Sequence, residues 1–451
     1  MISYLHPVSF IAIIIGPVLF TGWVLIAVIS LREKEYRAFR RSLLLAIITS
    51  SPFLITVILP DRFQVIWSII LLSIFSLAGI ILSFPTKSSG KSFPIIPDDY
   101  RFDERETMFS RAELQPGSKR FNDYYTAHPA HKITDDRFRR KPGLLSPKTA
   151  YYHPEYFKKA NTLFDEIAGK RDSVDGPVNP EKQAVDSADI SRLLKEKIKE
   201  LGAHSVGITT LKPYHFYSVS GRGDRYGKPV DTSHQFAIAL TVEMNFDAVA
   251  FAPKAPTVSE SARQYLNSGL IALKIAEYIR SLGYPARAHI DGNYLLICPL
   301  VARDAGLGEI GRMGLLMTPK LGPRVRIAVI TTELPLTPDA PNQDSAIEDF
   351  CHHCRKCAVN CPAGAIPTGK QKIHNGIRRW KINDANCYNY WCSTGTDCAV
   401  CMRVCPYSHP NTFFHNLIRA GIRNSFIFRR FALSMDDLLY GKKPPPRKMK
   451  P

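Results

Sequence analysis

The chain has 451 residues, ten cysteines and a formal net charge of +19. Excess positive charge is common in nucleic-acid-binding proteins, but the sequence contains no concentrated basic patch and no nucleic-acid motif, which argues against that class. The charge fits a body that is held near anionic lipid headgroups.

The first 85 residues contain three long stretches without charge, at 8–30, 43–60 and 63–83. About 20 apolar residues cross the core of a bilayer, so residues 1–85 are predicted to form a membrane anchor of three transmembrane helices. No Lys or Arg precedes the first stretch, which argues against a cleaved signal peptide.

Basic residues predict the orientation of this anchor. The second loop holds Arg62, whereas the first holds five basic residues: Arg32, Lys34, Arg37, Arg40 and Arg41. By the positive-inside rule, the first loop and the body after residue 85 face the cytoplasm. The predicted location is therefore the cell membrane, with several spans and a cytoplasmic body, where thiols stay reduced.

Arg40 and Arg41 precede an apolar run, as the arginines of a twin-arginine export signal do, and such a signal would place the body outside. The pair, however, follows a complete span, a third span comes after it, and no small-residue cleavage site is present. We interpret the pair as part of a cytoplasmic loop.

Residues 86–185 are polar, rich in Pro and Tyr and weakly periodic, and predict an extended arm that packs on the following domain. Residues 186–345 have the pattern of an α/β domain. Helices are predicted at 190–201 and 261–282, and strands at 236–242, 294–301 and 325–332.

Gly306-Leu-Gly308-Glu-Ile-Gly311 fits the dinucleotide fingerprint on spacing, with Glu333 about 20 residues later. The helix that the fingerprint requires would be interrupted by Gly314 and Pro319. We therefore interpret these glycines as a tight strand–loop connection.

Nine cysteines lie between 351 and 405. The first run reads Cys351-x2-Cys354-x2-Cys357-x3-Cys361-Pro362, and the second reads Cys398-x2-Cys401-x3-Cys405-Pro406, with Cys387 and Cys392 upstream. This is the spacing of bacterial two-cluster ferredoxins, in which three cysteines of a run bind one [4Fe–4S] cluster and the fourth binds the other. A structural zinc site does not repeat a triplet that ends in Cys-Pro. Residues 346–415 are therefore predicted to be a ferredoxin-like 2[4Fe–4S] domain.

The spacing also predicts the metal ligands. One cluster takes Cys351, Cys354, Cys357 and Cys405, and the other takes Cys361, Cys398, Cys401 and either Cys387 or Cys392. Cys298 lies in an apolar run and is interpreted as a small buried hydrophobe. Residues 416–451 are predicted to be a C-terminal extension with a solvated basic tail.

Several segments between about 99 and 415 resemble reductive dehalogenases: 101–112, 140–145, 279–286, 305–312, 322–326 and 387–406. The resemblance implies a nitroreductase-like α/β domain that holds a base-off cobalamin, with two [4Fe–4S] clusters that deliver electrons for removing halide from an organohalide. No Asp-x-His-x-x-Gly motif occurs, so no histidine-ligated cobalamin module is encoded. For the open cluster ligand, the resemblance favours Cys387.

The resemblance also implies site residues. Tyr265 matches the proton donor, Arg326 the basic residue beside it (with Arg324 and Arg312 as alternatives), and Asn293 the pocket amide. Tyr407 takes the place of a residue that lines the pocket. The glycine loop is assigned to cofactor binding: Gly306, Gly308, Gly311 and Arg312.

The implied electron donor is a quinol or a reduced ferredoxin or flavodoxin. Respiratory members of this family have an export signal and a separate anchor protein, whereas this chain resembles a variant that carries its own anchor and no export signal. Two other functions fit parts of the pattern: a membrane-bound 2[4Fe–4S] electron-transfer protein without its own substrate, and an epoxide-reducing cobalamin enzyme of the epoxyqueuosine reductase type.

Overall fold

The computed structural model describes residues 6–85, 97, 99–341, 345–374 and 377–449. They form two compact units, one from 6–85 with 417–444 and the other from the remaining described residues. The start of the predicted arm, 86–96 and 98, lies outside the described residues.

The first unit contains three long helices, α1 (Pro7–Arg32), α2 (Tyr36–Ile55) and α3 (Asp61–Ser83). Each is long and apolar enough to cross a bilayer, so the prediction of three such helices is confirmed. Helix α2 begins at Tyr36, before the apolar stretch that starts at 43. Its first turns therefore contain basic residues that the sequence had placed in the preceding loop.

Small side chains line the contact between α1 and α2. On α2 they recur at every fourth position and are buried: Ala38, Ser42, Ala46 and Ser50. A Cβ atom added to Gly16 of α1 would lie 3.1 Å from Cβ of Phe53 and 3.5 Å from the carbonyl oxygen of Ser50. Small residues at this spacing let helix backbones approach closely in membranes.

The described part of the arm is helical instead of extended: α4 (Met108–Glu113), α5 (Lys119–Ala127), α6 (Pro129–Arg139) and α7 (Pro154–Ala168). Local signals begin these helices, since Thr107 and Ser118 accept hydrogen bonds at N-caps and a proline opens α6 and α7. Three of the four helices are short, which is why their periodicity is weak. Ile167 of α7 is buried in the main core, so this part of the arm packs on the domain.

The second unit is built around an antiparallel sheet in the order β1-β2-β6-β3. Its elements before residue 345 are α8 (Ser187–Glu200), β1 (Ser205–Thr210), β2 (Phe236–Glu243), α9 (Phe246–Val249), α10 (Ala255–Ser281), β3 (Ala286–His289), α11 (Cys298–Asp304), β4 (Glu309–Ile310), β5 (Leu316–Met317) and β6 (Val325–Thr332). The helices predicted near 190–201 and 261–282 and the strands near 236–242 and 325–332 are confirmed. The strand predicted at 294–301 is wrong, because Pro299 opens helix α11.

The two faces of the sheet bury different side chains. Ile238 and Leu240 of β2 pack in one cluster with Ile275 of α10. Ala237 and Ala239 point to the other side and share a cluster with α11. The sheet is thus covered on both faces, and β6 at its centre carries Arg326 near its first residue.

The cysteine-rich segment contains α12 (Ser345–Cys354), α13 (Lys356–Val359), β7 (Lys372–His374), β8 (Ile377–Arg379), α14 (Asp384–Thr394) and α15 (Val400–Arg403). The two cysteine runs fold alike. The short helices α13 and α15 each follow a residue with left-handed backbone, Arg355 at φ 54° and Ala399 at φ 53°, and these helices contact each other.

Two helices follow, α16 (Phe413–Asn424) and α17 (Phe426–Leu439). Helix α17 packs against α2 and α3 in the first unit, and Arg41 donates a hydrogen bond to the carbonyl of Leu438. The last described residues belong to the second unit, where the N–H of Arg447 donates to the carbonyl of Ala250 at 3.0 Å. Arg447 of the basic tail is therefore docked on the protein instead of solvated.

Candidate active site

The thiols of the first cysteine run lie near one cysteine of the second run. Burial raises the pKa of Cys405 well above its ordinary value, and its neighbours Cys354, Cys351 and Cys357 raise it further. Cys351, Cys401 and Cys354 also raise the pKa of Cys357, after the larger effect of burial, so the two cysteine runs lie close together at this point. Charge effects of this kind act over short distances, so these four cysteines share one environment.

A second group forms from the other run. Burial raises the pKa of Cys401 to about 12, with contributions from Cys387 and Cys361. Burial likewise raises the pKa of Cys398, and Cys401 and Cys387 add to it. The second group is therefore Cys361, Cys387, Cys398 and Cys401.

Cys392 lies apart from both groups. It is 3% exposed in a cluster with Met108 and Phe138, and Tyr388 packs against that cluster. Burial raises the pKa of Cys392 to about 11, while a hydrogen bond with Tyr388 lowers it, and no other cysteine contributes. The structure thus brings Cys387, and not Cys392, to the second group.

The chemistry of these groups fits iron–sulfur cubes. In the described part of the chain, no three His, Cys, Asp or Glu side chains are arranged to bind a single metal ion. A [4Fe–4S] cube takes one thiolate at each of four irons, so its cysteines surround a cluster instead of converging on a point. Buried thiols resist ionisation, and bound iron would compensate the charge of the thiolates.

Arg312 supports the first cysteine run. Its guanidinium donates to the carbonyls of Cys351 at 3.0 Å and His352 at 3.2 Å, and to those of Pro367 at 2.7 Å and Gly369 at 2.8 Å. It also lies 4.6 Å from the ring centroid of Trp380. Arg312 therefore fixes the backbone of this run and is not among the residues that line the cavity described below.

The glycines predicted to bind a cofactor, Gly306, Gly308 and Gly311, lie near the first cysteine run as Arg312 does. A Cβ atom on Gly308 would be 2.2 Å from the carbonyl oxygen of Met317, and one on Gly311 would be 2.7 Å from Cγ of Met317 and 3.6 Å from Sγ of Cys351. These glycines let β4 approach β5 closely, and the element before them is helix α11 instead of the expected strand. Gly306 opens this turn at φ 79°.

Tyr407 is buried behind the first run. It is 3% exposed, and its ring meets Phe350 edge-on at 5.0 Å between centroids. Gly322 is needed beside it, since a Cβ atom there would be 2.6 Å from Cβ of Tyr407. Tyr407 is not among the residues that line the cavity.

A cavity of about 650 Å³ lies in the second unit, between α10, β6 and the cysteine-rich segment. This volume is in the range of small-molecule sites. Its wall combines apolar residues, such as Leu315, Leu316 and Met402, with several aromatic rings and a few charged groups. Asp397 and Met402 of this wall flank Cys398 and Cys401, so the second cysteine group adjoins the cavity.

Tyr265 and Arg326 meet in this cavity. The guanidinium carbon of Arg326 lies 4.8 Å from the centroid of the Tyr265 ring, and Nη2 donates to Asp397 at 2.8 Å and to Ser261 at 2.5 Å. Burial raises the pKa of Tyr265, whereas Arg326 opposes that rise. The result is a phenol that stays protonated at neutral pH beside a cation that can stabilise its phenolate.

Two polar atoms of this arrangement have no partner. Among the described residues, Nε of Arg326 and Oδ1 of Asp397 are buried without a hydrogen bond. Both residues line the cavity. Buried polar groups are normally satisfied, so these atoms indicate a site that a polar ligand or water completes.

Asn293, the predicted pocket amide, is not among the lining residues. Its Oδ1 accepts from Arg287 at 2.7 Å and its Nδ2 donates to the carbonyl of Arg171 at 2.7 Å. Asp291, two positions earlier, lines the cavity instead. The tight turn at 291–292 makes such a displacement hard to read from sequence, because a shift of one or two residues changes the direction of a side chain.

Sequence reasoning missed further lining residues: Tyr217, Arg222, His289, Tyr294 and Cys298. Burial raises the pKa of Tyr294, and Arg222 opposes that effect. These residues come from separate loops, the end of β3 and the start of α11, and no spacing motif marks them.

His289 is the one histidine among the lining residues in the described part of the chain. Its Nδ1 accepts from the N–H of Leu295 at 3.2 Å, and its Nε2 is 2.9 Å from Oγ1 of Thr331. Burial lowers the pKa of His289 far below its ordinary value, so the ring is neutral. Both ring nitrogens are engaged, which leaves neither for a metal in the cavity.

Known proteins match this architecture. Residues 350–409 match the 4Fe-4S dicluster domain family. A tetrachloroethene reductive dehalogenase of Sulfurospirillum multivorans is 33% identical over 231 residues, which cover 48% of this chain and 46% of that protein. This chain therefore spans about half the length of that relative.

Two solved structures share the fold. One is a catabolic reductive dehalogenase, with a TM-score of 0.65 and 24% identity, covering 80% of this chain and 49% of that one. The other is a reductive dehalogenase structure described as suggesting a mechanism for B12-dependent dehalogenation, with a TM-score of 0.65, 23% identity and coverage of 82% and 54%. The predicted fold class, the two-cluster domain and the resemblance to reductive dehalogenases are confirmed.

Proposed function

We propose that this protein is a membrane-associated corrinoid iron–sulfur reductive dehalogenase. The observation that carries the proposal is the Tyr265–Arg326–Asp397 arrangement, in a cavity that adjoins the second cysteine group. The proposed reaction class is that of the reductive dehalogenases to which this chain is similar. The reaction replaces the halogen of an organohalide by hydrogen, consumes two electrons and one proton, and releases halide.

Two [4Fe–4S] clusters would supply the electron transfer. Cys351, Cys354, Cys357 and Cys405 would hold one, and Cys361, Cys387, Cys398 and Cys401 would hold the other. The electrons come from a quinol or a reduced ferredoxin or flavodoxin. The residues that would hold the second cluster are the ones next to the cavity, because Cys398 and Cys401 flank the lining residues Asp397 and Met402.

The cavity residues fit a corrinoid that takes no protein ligand. Both nitrogens of His289 are already hydrogen-bonded, and Leu315, Leu316 and Met402 offer an apolar surface for the macrocycle. When bound, the corrinoid supplies the reductive cleavage of the carbon–halogen bond. The glycine loop and Arg312 act indirectly. They hold the backbone of the first cysteine run in place.

Tyr265 donates the proton. Its raised pKa keeps the phenol protonated, and the guanidinium of Arg326 stabilises the phenolate that remains after transfer. Asp397 and Ser261 hold that guanidinium in place.

The test compares Tyr265→Phe with Tyr294→Phe in the reconstituted protein. Both changes remove one hydroxyl from a cavity tyrosine and leave the ring. Tyr265→Phe should lower turnover by about 10²–10⁴-fold with corrinoid and iron contents unchanged, and Tyr294→Phe should retain most activity. Full halide release by Tyr265→Phe at normal cofactor content would assign the proton to another group.

We also propose that the second unit faces the cytoplasm, on the basis of the five basic residues at the end of α1, in the following loop and in the first turns of α2. A reporter that works only in the cytoplasm should be active when fused after Pro451, and a reporter that works only outside should be active when fused between α2 and α3. A C-terminal fusion that is active outside would reverse the orientation and favour the export interpretation of Arg40 and Arg41.

A further inference from the structure

Helix α17 has two different faces. Ile427, Phe431 and Leu438 are 37%, 44% and 42% exposed, and their spacing of four and seven residues puts them in one stripe along the helix. The opposite face is buried and contains Arg429, Ala432, Asp436 and Leu439. The helix therefore packs with its mixed face and leaves an apolar stripe uncovered by the described residues.

The partners of α17 are the helices that are long and apolar enough to span a bilayer. It contacts α2 and α3, of which only 28% and 6% of the apolar stretch is buried within the protein. The remaining surface of these helices suits lipid. The exposed stripe of α17 lies on the face opposite its buried one, so α17, like α2 and α3, leaves apolar side chains uncovered.

The end of α17 lies at the level of the loop between α1 and α2. Arg41 donates to the carbonyl of Leu438, and the guanidinium of Arg37 lies next to Gly441. After burial, Glu33 is the largest of the neighbours that raise the pKa of Tyr440. This loop joins the ends of two spanning helices, so it marks the headgroup region of a bilayer.

We propose that α17 is an interfacial membrane helix, whose stripe of Ile427, Phe431 and Leu438 inserts among lipids at the level of the α1–α2 loop. Helices of this kind have one apolar face in the boundary between headgroups and acyl chains. The occupant of the stripe is lipid, because α17 packs on helices whose apolar stretches are themselves largely exposed and suit a bilayer. A second copy of the chain or another membrane protein would be a different occupant.

The test uses the full-length protein reconstituted in vesicles of phosphatidylcholine and phosphatidylglycerol. A photoreactive benzoylphenylalanine replaces Phe431 or, as the control, the adjacent Ala432, which is 8% exposed on the packed face. Position 431 should give lipid adducts by mass spectrometry at a yield at least about tenfold above position 432. Adducts to another protein chain, or equal lipid yields at both positions, would overturn the proposal.

A second variant measures depth without a bulky probe. Phe431→Trp is compared with the parent protein in vesicles whose lipids carry bromine near the headgroup or deep in the acyl chain. The added fluorescence should be quenched more strongly by shallow than by deep bromine. Stronger deep quenching, or no quenching of the added signal, would contradict an interfacial position.

Discussion

Replacing Arg326 by leucine removes the cation that pairs with Asp397 and lies beside the ring of Tyr265. Its side chain and that of Asp397 are only 10% and 8% exposed, with Nη2 and Oδ2 2.8 Å apart. The variant therefore leaves a carboxylate buried without its counter-charge. Breaking a buried pair in this way costs about 3–5 kcal/mol of stability.

The double variant Arg326→Leu/Asp397→Asn separates stability from catalysis. It removes the unpaired charge with almost no change in volume at residue 397, so most of the lost stability should return. Turnover should not return, because Tyr265 still lacks the guanidinium 4.8 Å from its ring.

Thermal unfolding at one fixed scan rate measures stability, and halide release per corrinoid measures turnover. The single variant should unfold at a lower temperature and react slowly, whereas the double variant should unfold near the parent and still react slowly. If the double variant stays as unstable as the single one, the unpaired carboxylate is not the cause. Recovered turnover in the double variant would show that proton transfer does not need Arg326.

Cys387→Ser should lose about four of about eight irons per chain, while Cys392→Ser should retain all of them; iron analysis decides between the two cysteines, and iron loss in the second variant alone would reverse the assignment. Because the pKa of Tyr265 is raised above its ordinary value of 10.0, its acid form persists below that pH, so turnover should show no tyrosine-dependent fall between about pH 7 and 10. A fall in that range that moves in Arg326→Leu would contradict this. Arg312→Met removes donors to four backbone carbonyls, and it should weaken retention of the cluster bound by the first cysteine run more than that of the second, as read by electron paramagnetic resonance during chelator challenge.

The sequence predicts best where chemistry demands fixed spacing. The cysteine runs must present several sulfurs from one loop, so Cys351, Cys354 and Cys357 could be grouped without a structure, and the long apolar helices follow from the thickness of a bilayer. The choice between Cys387 and Cys392 could not come from spacing, because both lie on α14 and only the direction of each side chain separates them.

Other features depend on tertiary contacts that no local pattern records. Asn293 and Asp291 lie on one tight turn, and the fold directs Asp291 to the cavity. Arg312 follows the predicted glycine loop, but its four carbonyl partners lie 39 to 57 residues away in the chain. The pairing of α17 with α2 likewise joins the two ends of the chain, so neither segment alone predicts it.

The chain passes between the two units more than once. Residues 417–444 leave the second unit, pack with the N-terminal helices and are followed by a segment that docks on Ala250. An expression variant that begins after residue 96 would therefore retain α17, with the face that normally meets α2 and α3 newly uncovered. A fragment limited to the second unit requires an internal deletion, in which residues 417–444 are removed and the docked segment around Arg447 is kept.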